Sequence, residues 1–321
     1  MIYWPTQLQE GLLDRSLKVV RSRMASRVAL VVTTHNRKDK VIRLLGSISQ
    51  SSFAKRFLKT IVVDDASTDG TFEEVRSLFP KVLVSRTNQE VFLAKARNIG
   101  AQYSKAKYVL FVDDDMVIEG DLIGRLIAFM EEHPDYGIAG PVVTYFRNQN
   151  KIWHAGVLFR PRSFAENRYI WQYALLSNVK REGFIDCSYV PGIFMVRKKI
   201  LNKLQGFDYR NFPFSFEDLD LALRAQSTGF KTACVLSALA FHDIDEQPIR
   251  RSLRPMRAFH HGRSRTRFYM KYLKWKLLWV PAYFLGFMVR QLQNNNLSFK
   301  KRLQLAFSYL KGISYGIARV H

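Results

Sequence analysis

The chain has 321 residues, of which 47% are hydrophobic, so it is long enough to bury a sizeable core and is not disordered over most of its length. The formal net charge is +23, and 16 of the lysines and arginines follow residue 246, where no aspartate or glutamate occurs. This asymmetry is typical of a surface that meets nucleic acid or an anionic membrane. Two cysteines, Cys187 and Cys234, exclude a disulfide framework and fit a reducing compartment.

The first 26 residues mix apolar and basic side chains, which predicts an amphipathic helical lead-in. They lack the apolar core and the cleavage site of a signal peptide. Near the other end, the apolar run from Leu277 to Val289 is shorter than the roughly 20 residues that a bilayer span needs. We interpret this run as an interfacial or buried segment.

Strand and helix patterns alternate over the first 140 residues at the spacing of βα units. Strands are predicted at 28–33, 60–63, 81–85 and 108–112, and helices at 39–49, from Thr71 with a capping-box Glu74, at 93–103 and at 120–133. Later strands are predicted at 142–146, 152–160, 190–196 and 231–236, and short helices at 198–204 and 217–227. The sequence therefore predicts an α/β fold in which helices flank a mostly parallel central sheet, followed by a basic, aromatic helical C-terminal extension.

Polar side chains follow three of the first four predicted strands, where parallel sheets bind ligands. Asp113, Asp114 and Asp115 repel one another, and Mg²⁺ or Mn²⁺ bound to a diphosphate would relieve that repulsion. Considered alone, the three acids are more often a solvated acidic turn. His35 and Arg37, in the first βα loop, suit base stacking and phosphate binding.

Further candidates follow other elements of the chain. Asp65 suits a hydrogen bond from a base or a ribose hydroxyl, or it caps a turn. Glu217 and Asp218 open a helix, where acids favour the helix dipole, and one of them could act as a general base. His242 is predicted in the loop after the strand at 231–236, where a lone histidine is usually structural.

The order and spacing of these groups closely resemble family 2 glycosyltransferases of the bacterial and archaeal rhamnosyltransferase-like type, which have the GT-A fold. The resemblance covers about residues 27–245. The matching segments are Val31–Arg37, Ile61–Thr71, Ala96–Gly100, Phe111–Asp115, Gly206–Asp208 and Phe216–Leu221. His35 stands where many members have tyrosine.

On the donor side, the resemblance implies that Thr34, His35 and Asp65 contact the nucleotide. Arg37 and Arg97 belong to the same nucleotide-sugar side of the site.

For the metal and the chemistry, the resemblance implies that Asp113 and Asp115 hold Mn²⁺ or Mg²⁺ and the diphosphate, with Asp114 near the ribose or the sugar. His242 would complete the metal shell. Asp218, beside Glu217, is the implied catalytic base.

The implied activity is inverting transfer of a hexosyl or deoxyhexosyl group from a UDP-, GDP- or dTDP-sugar to a hydroxyl of a glycan or lipid-linked acceptor. A nucleotidyltransferase and a nucleic-acid-binding protein remain as alternatives. The first would favour a glycine-rich first loop, which residues 33–38 lack, and the second leaves the acidic strand ends unexplained.

Three regions are expected along the chain. They are the lead-in at 1–26, a catalytic domain at 27–245 with a nucleotide-binding half (27–140) and an acceptor half (141–245), and a basic helical region at 246–321.

Basic and aromatic residues interleave over 250–276 and again over 299–311. This pattern predicts peripheral contact with an anionic membrane through 250–311, on the cytoplasmic face of the cell membrane. Packing on the catalytic domain or a homo-oligomer contact is the alternative, and nucleic acid is less favoured. Arg263 and Arg267 are the candidates for facing a diphosphate from this region.

Overall fold

The structure is a computed structural model that describes residues 28–51, 59–163, 166–244, 255–292 and 298–318. The predicted lead-in at 1–26 and the start of the basic segment lie outside these residues. The first half contains β1 (Val28–Thr34), α1 (Lys38–Gln50), β2 (Lys59–Asp64), α2 (Thr71–Leu78), β3 (Leu83–Arg86), α3 (Leu93–Gln102), β4 (Tyr108–Asp113), β5 (Met116–Ile118) and α4 (Leu122–Glu132).

The second half is richer in strands. It contains β6 (Tyr136–Tyr145), β7 (Asn148–His154), β8 (Val157–Phe159), β9 (Asn167–Tyr169), β10 (Phe184–Asp186), β11 (Ile193–Arg197), α5 (Lys198–Lys203), α6 (Glu217–Gln226) and β12 (Lys231–His242). A short 3₁₀ turn lies at Leu176–Asn178. The C-terminal region contains α7 (Pro255–Tyr272), a 3₁₀ helix (Lys274–Trp279), α8 (Val280–Leu292) and α9 (Phe299–Ala318).

The central sheet has the strand order β10-β12-β6-β11-β4-β1-β2-β3, with β5 on β12 and β7 on β6. Strands β4, β1, β2 and β3 are parallel, and β11 lies antiparallel between β4 and β6. The β-branched runs of β1 and β2 are buried on both faces, as expected for parallel strands that helices cover. Alternate residues such as Val31 and Val32 enter two apolar layers, one on each face of the sheet. The predicted α/β fold with its helical C-terminal extension is confirmed.

Two local predictions differ from the structure. His242 is the last residue of β12, not a loop residue, because β12 continues past an irregularity at Val235 and pairs with β5 and β6. Thr71 is the first residue of α2 and follows Gly70 at φ 80°, so no side-chain cap forms there. Instead, the Thr71 hydroxyl donates to the Asp69 carboxylate.

The C-terminal helices pack on the sheet domain through α7. Phe268 and Tyr269 of α7 are fully buried in the larger apolar layer. Helices α7 and α9 cross closely at Gly262 and Gly312, where an added Cβ would collide with the facing backbone.

A buried carboxylate of the sheet domain also bonds to the C-terminal helices. Glu166, which lies between β8 and β9, accepts hydrogen bonds from Tyr269 (2.5 Å), Lys276 (3.1 Å) and Tyr283 (3.2 Å). These donors come from α7, the 3₁₀ helix and α8. Within the described ranges, no helix has both the length and the apolar character that a bilayer crossing requires.

Candidate active site

A cavity of about 270 Å³ opens beyond the carboxyl ends of β1, β2 and β4. The strand register aligns Thr33 with Asp113 and Thr34 with Asp64, so the polar ends of three strands meet at one edge. The predicted residues that line this cavity are Thr34, His35, Arg37, Asp65, Asp113, Asp114, Asp115 and His242.

The first loop and the acidic cluster are directly connected. The Thr34 hydroxyl donates a hydrogen bond to the Asp114 carboxylate (2.9 Å). The Arg37 guanidinium donates to both Asp114 (2.8 Å) and Asp115 (3.0 Å). Burial raises the pKa of Asp114 to about 6, although Arg37 opposes the shift. Burial acts on Asp115 as well, but the hydrogen bond from His242 and the charge of Arg37 hold its pKa below the usual range.

Asp65 organises the loop that follows β3. Its carboxylate accepts hydrogen bonds from the backbone amides of Val91 (2.8 Å) and Phe92 (2.9 Å) and from the Thr87 hydroxyl (2.9 Å). Its own carbonyl oxygen lies 2.5 Å from Nδ1 of His35. Asp65 therefore shapes one wall of the cavity, and its contact with a nucleotide stays a prediction.

The predicted metal ligands are only partly assembled. His242 Nε2 lies 3.2 Å from Asp115 Oδ1, whereas Asp113 points to Arg97. Within the described residues, no three His, Cys, Asp or Glu side chains converge as a metal-holding group. Two adjacent ligands of an octahedral Mg²⁺ or Mn²⁺ are about 3 Å apart, so the Asp115–His242 pair fits two such positions, with phosphate oxygens and water left for the others.

Arg97 is predicted as a nucleotide-sugar ligand, but in the structure it is a buried bridge between carboxylates. Its side chain is 1% exposed and donates to Asp113 (2.7 Å) and to Asp218, with Glu217 3.7 Å away. Burial alone would lower the pKa of Arg97, yet the surrounding carboxylates raise it. Arg97 therefore stays charged. Its side chain does not line the first cavity.

Backbone geometry brings Asp218 close to Asp113. Gly192, at φ 80°, accepts a hydrogen bond from the Asp113 amide (2.8 Å) through its carbonyl and turns its own amide to Asp218. An added Cβ at Gly192 would collide with Met116. The chain then enters α6 through Phe216, a non-glycine residue at φ 68°.

The acids at the start of α6 are strongly perturbed. Burial, together with the Asp218 charge, raises the pKa of Glu217 to about 8. Burial also raises the pKa of Asp218, although Arg97 opposes the shift. Glu217 is therefore protonated near neutral pH, while Asp218 is the acid that the guanidinium holds directly.

A second cavity, also about 270 Å³, adjoins this helix start. Its lining residues come from β9, the Pro191 turn, α6 and α7, and they are Asn167, Tyr189, Pro191, Ser215, Phe216, Glu217, Asp218, Leu219, His261 and Arg265. Asp113 lines the first cavity and Asp218 the second, so the Arg97 bridge joins the two.

Three residues of α7 that line the cavities are not predicted from the sequence. Arg257 lines the first cavity, and His261 and Arg265 line the second. Arg263 and Arg267, which the sequence suggests for a diphosphate, donate to the Arg210 carbonyl and line neither cavity. The available signal was the four-residue spacing of 257, 261 and 265, which places them on one face of a helix.

Comparisons with known proteins identify the family of the chain. The family model described as "Glycosyl transferase family 2" matches residues 29–205. The chain is 31% identical over 108 residues to the poly(ribitol-phosphate) beta-N-acetylglucosaminyltransferase TarS of Staphylococcus aureus, covering 33% of this chain and 19% of that protein. It is 21% identical over 209 residues to polypeptide N-acetylgalactosaminyltransferase 4 of Caenorhabditis elegans, covering 62% and 35%. The chain thus spans about a fifth of the length of the first of these relatives.

Solved structures share the fold. A mannosyltransferase from Pyrobaculum calidifontis, in complex with GDP-Man and Mn²⁺, superposes with a TM-score of 0.55 at 15% identity, covering 91% of this chain and 87% of the other. GalNAc-T7, with UDP, GalNAc and Mn²⁺, superposes with a TM-score of 0.56 at 13% identity, covering 98% and 66%. At such identities the likeness extends to the fold, which is the GT-A arrangement expected from the sequence.

Proposed function

Because the chain belongs to glycosyl transferase family 2, we propose that it transfers a hexosyl or deoxyhexosyl group from a nucleotide sugar to a hydroxyl group, with inversion at the anomeric carbon. The observation that carries this proposal is the buried Arg97 bridge. It couples an acidic cavity at the strand ends to a second cavity that contains Asp218.

The first cavity is the proposed donor site. Its carboxylates and the His35 ring suit a nucleoside, and the cations Arg37 and Arg257 suit the diphosphate. Arg37 already connects Asp114 to Asp115, so a bound diphosphate would compete for a guanidinium that is held in place. A UDP-, GDP- or dTDP-sugar remains the proposed donor.

Asp115 and His242 are the proposed metal-binding pair, and Asp113 would join them by turning from Arg97. Mn²⁺ or Mg²⁺ bound there would neutralise charge on the diphosphate as it leaves. The chain's own contribution is positional, because the Asp243 amide donates to the Asp115 carbonyl (2.8 Å) and the Trp153 ring packs against the His242 imidazole in a T-shaped arrangement.

Asp218 is the proposed general base. Burial raises its pKa, which makes it more basic than an exposed aspartate, while the ion pair with Arg97 opposes that shift and fixes the side chain. It would take the proton of the acceptor hydroxyl as that oxygen bonds to the anomeric carbon. The bond from this carbon to the diphosphate oxygen breaks, and its electron pair leaves with the nucleoside diphosphate.

The test is a transfer and donor-hydrolysis screen over UDP-, GDP- and dTDP-sugars with Mn²⁺ or Mg²⁺. We expect Asp218→Asn to retain nucleotide binding and to lose transfer by about 10²–10⁴-fold, the usual contribution of a general base. Asp135→Asn, a half-exposed aspartate outside both cavities, is the matched control and should keep full activity. Full transfer by Asp218→Asn would refute the assignment.

A separate calorimetric test addresses the metal pair. Asp115→Ala should lose the Mn²⁺-dependent part of nucleotide binding, because one of the two adjacent ligands is gone. Nucleotide affinity that is equal with and without Mn²⁺ in the wild-type protein would remove the metal from the mechanism.

We also propose that the C-terminal helices contact an anionic membrane, which would suit a lipid-linked acceptor. Leu278 is 87% exposed, Phe307 73% and Phe299 67%, and no acid follows residue 246. Exposed apolar side chains among lysines and arginines suit insertion at an anionic interface.

Vesicle flotation tests this contact. The protein should float with anionic vesicles and less with neutral ones, and a double change of Leu278→Ser and Phe307→Ser should abolish flotation. Leu78→Ser on α2, also an exposed leucine, is the matched control. Absence of flotation with either vesicle type would reject membrane contact.

A further inference from the structure

Helix α7 presents one line of polar side chains to both cavities. Arg257, His261 and Arg265 are four residues apart, so they project from the same face of the helix. Arg257 reaches the proposed donor cavity, and the other two reach the second cavity. The C-terminal region therefore supplies side chains to the space where donor and acceptor would meet.

Arg265 is held in position from several sides. It donates to the Tyr269 hydroxyl (3.0 Å), and its guanidinium carbon lies 4.6 Å from the ring centre of Tyr283 and 5.5 Å from that of Phe216. Glu166 is 3.9 Å away, yet 29% of the Arg265 side chain is exposed. A fixed, accessible guanidinium suits two oxygens of one phosphoryl group.

His261 lies one turn before Arg265 on the same cavity wall. Its Nδ1 is 3.0 Å from the Ser215 hydroxyl, and burial, with the charges of Arg265 and Arg257, lowers its pKa to about 4. The ring is therefore neutral near pH 7. It offers a hydrogen bond to a ligand without adding charge.

Two polar atoms in the wall of the second cavity have no hydrogen-bond partner among the described residues. They are Glu217 Oε2 and Asn167 Oδ1, and each atom is buried. A buried polar atom without a partner is costly, so a polar ligand that supplies partners would be favoured there. The protonated carboxyl of Glu217 can donate, and the Asn167 amide oxygen can accept.

We propose that the second cavity binds an acceptor that carries a phosphoryl group next to its attacking hydroxyl. Arg265 and His261 hold the phosphoryl oxygens, while Asp218 faces the hydroxyl. This inference rests on the proposed glycosyl transfer and deepens it by naming the acceptor class. The same combination of a phosphoryl group and a neighbouring hydroxyl occurs in a soluble polyol phosphate and in the headgroup of a phosphatidylglycerol lipid.

The experiment measures binding by the 321-residue chain without the donor. Glycerol 3-phosphate is the soluble probe, with glycerol as its phosphate-free match, and phosphatidylglycerol in phosphatidylcholine vesicles is the lipid probe. We expect saturable binding of at least one phosphate probe and none of glycerol. Arg265→Gln should weaken this binding at least tenfold, which is the usual effect of losing one charge-assisted contact.

Arg263→Gln is the matched control, because the substitution removes one positive charge from the same helix at a residue that lines neither cavity. It should bind within twofold of the wild-type protein. His261→Gln is the second variant, in case thermal unfolding shows that Arg265→Gln is not folded, and it should bind severalfold more weakly. Arg265-dependent binding of the soluble probe alone or of the lipid probe alone supports the proposal and identifies the source, whereas vesicle binding that Arg265→Gln leaves unchanged reports only the membrane contact.

Two outcomes would overturn the inference. One is that the wild-type protein binds neither phosphate probe, and the other is that folded Arg265→Gln and His261→Gln variants bind as the wild-type protein does. Donor hydrolysis by the wild-type protein is measured alongside. Hydrolysis without phosphate binding overturns this inference alone, whereas Arg265-dependent phosphate binding without hydrolysis of any donor counts against the glycosyl transfer.

Discussion

Replacing Arg97 by methionine removes a buried cation from between one buried and two partly buried carboxylates. The guanidinium contacts Asp113 at 2.7 Å, pairs with Asp218 and lies 3.7 Å from Glu217, with 1% of its side chain exposed. Breaking a buried ion pair by removing one partner costs about 3–5 kcal/mol. At about 2–4 °C per kcal/mol for a large domain, the midpoint of thermal unfolding should fall by roughly 6–20 °C.

The loss should also depend on pH. Burial already raises the pKa of Asp218, and without Arg97 it should rise further. An acid whose pKa is higher in the folded state loses stability as pH rises above its unfolded value, so the deficit of Arg97→Met should be larger at pH 8 than at pH 6.

Circular dichroism melts at both pH values measure this effect. Arg43→Met is the matched control, because Arg43 is 43% exposed and makes one ion pair with Asp243 at 2.7 Å. Such a surface pair contributes at most about 1 kcal/mol. If Arg97→Met melts within the range of the control at both pH values, the buried bridge does not stabilise the fold as reasoned.

Three further predictions concern single contacts. Glu217→Gln should be more stable than the wild-type protein, by a margin that grows from pH 5 to about pH 8 in urea titrations. The pKa of Glu217 is raised to about 8 in the folded protein, so over this range ionisation of Glu217 stabilises only the unfolded wild-type chain and lowers its free energy of unfolding. A margin independent of pH would contradict the burial argument. Gly192→Ala should destabilise by about 1–3 kcal/mol in the same assay, since φ is 80° and the new Cβ meets Met116, and a neutral effect would mean that the turn relaxes freely. Tyr272→Phe should cost about 1 kcal/mol, since its hydroxyl donates to the buried Asp220 (2.7 Å), and wild-type stability would show that Asp220 is satisfied without it.

The parallel half of the sheet is predictable because its signals are local. Strands β1, β2 and β4 are apolar runs, and polar residues follow at the edge where ligands bind, so the sequence alone predicts that Asp113 and Asp65 lie near one another. The end of β12 is not predictable in the same way. His242 is held in a strand by pairing with β5, three residues whose extended form depends on that same pairing.

The connection between the two cavities is also beyond the sequence. Arg97 meets Asp218 across 121 positions of chain, and only packing decides that the arginine turns inward to that acid and not outward to a ligand. The rotation of α7 against the sheet domain decides which of its basic side chains face the cavities. In the structure these are the side chains at 257, 261 and 265, and not those at 263 and 267. Gly262 and Gly312 set that rotation by allowing close approach of α9. Periodicity identifies a basic, aromatic helix but not which of its charged faces turns inward.

The Glu166 carboxylate has a consequence for how this architecture can diversify. Because side chains from α7, the 3₁₀ helix and α8 all bond to that one group, a C-terminal segment grafted from a relative would leave it buried without donors unless the graft restored them. The residue at position 166 and the hydrogen-bond donors at 269, 276 and 283 are therefore expected to vary together among relatives. Recombination between family members should succeed more often when the crossover keeps both sides from one parent.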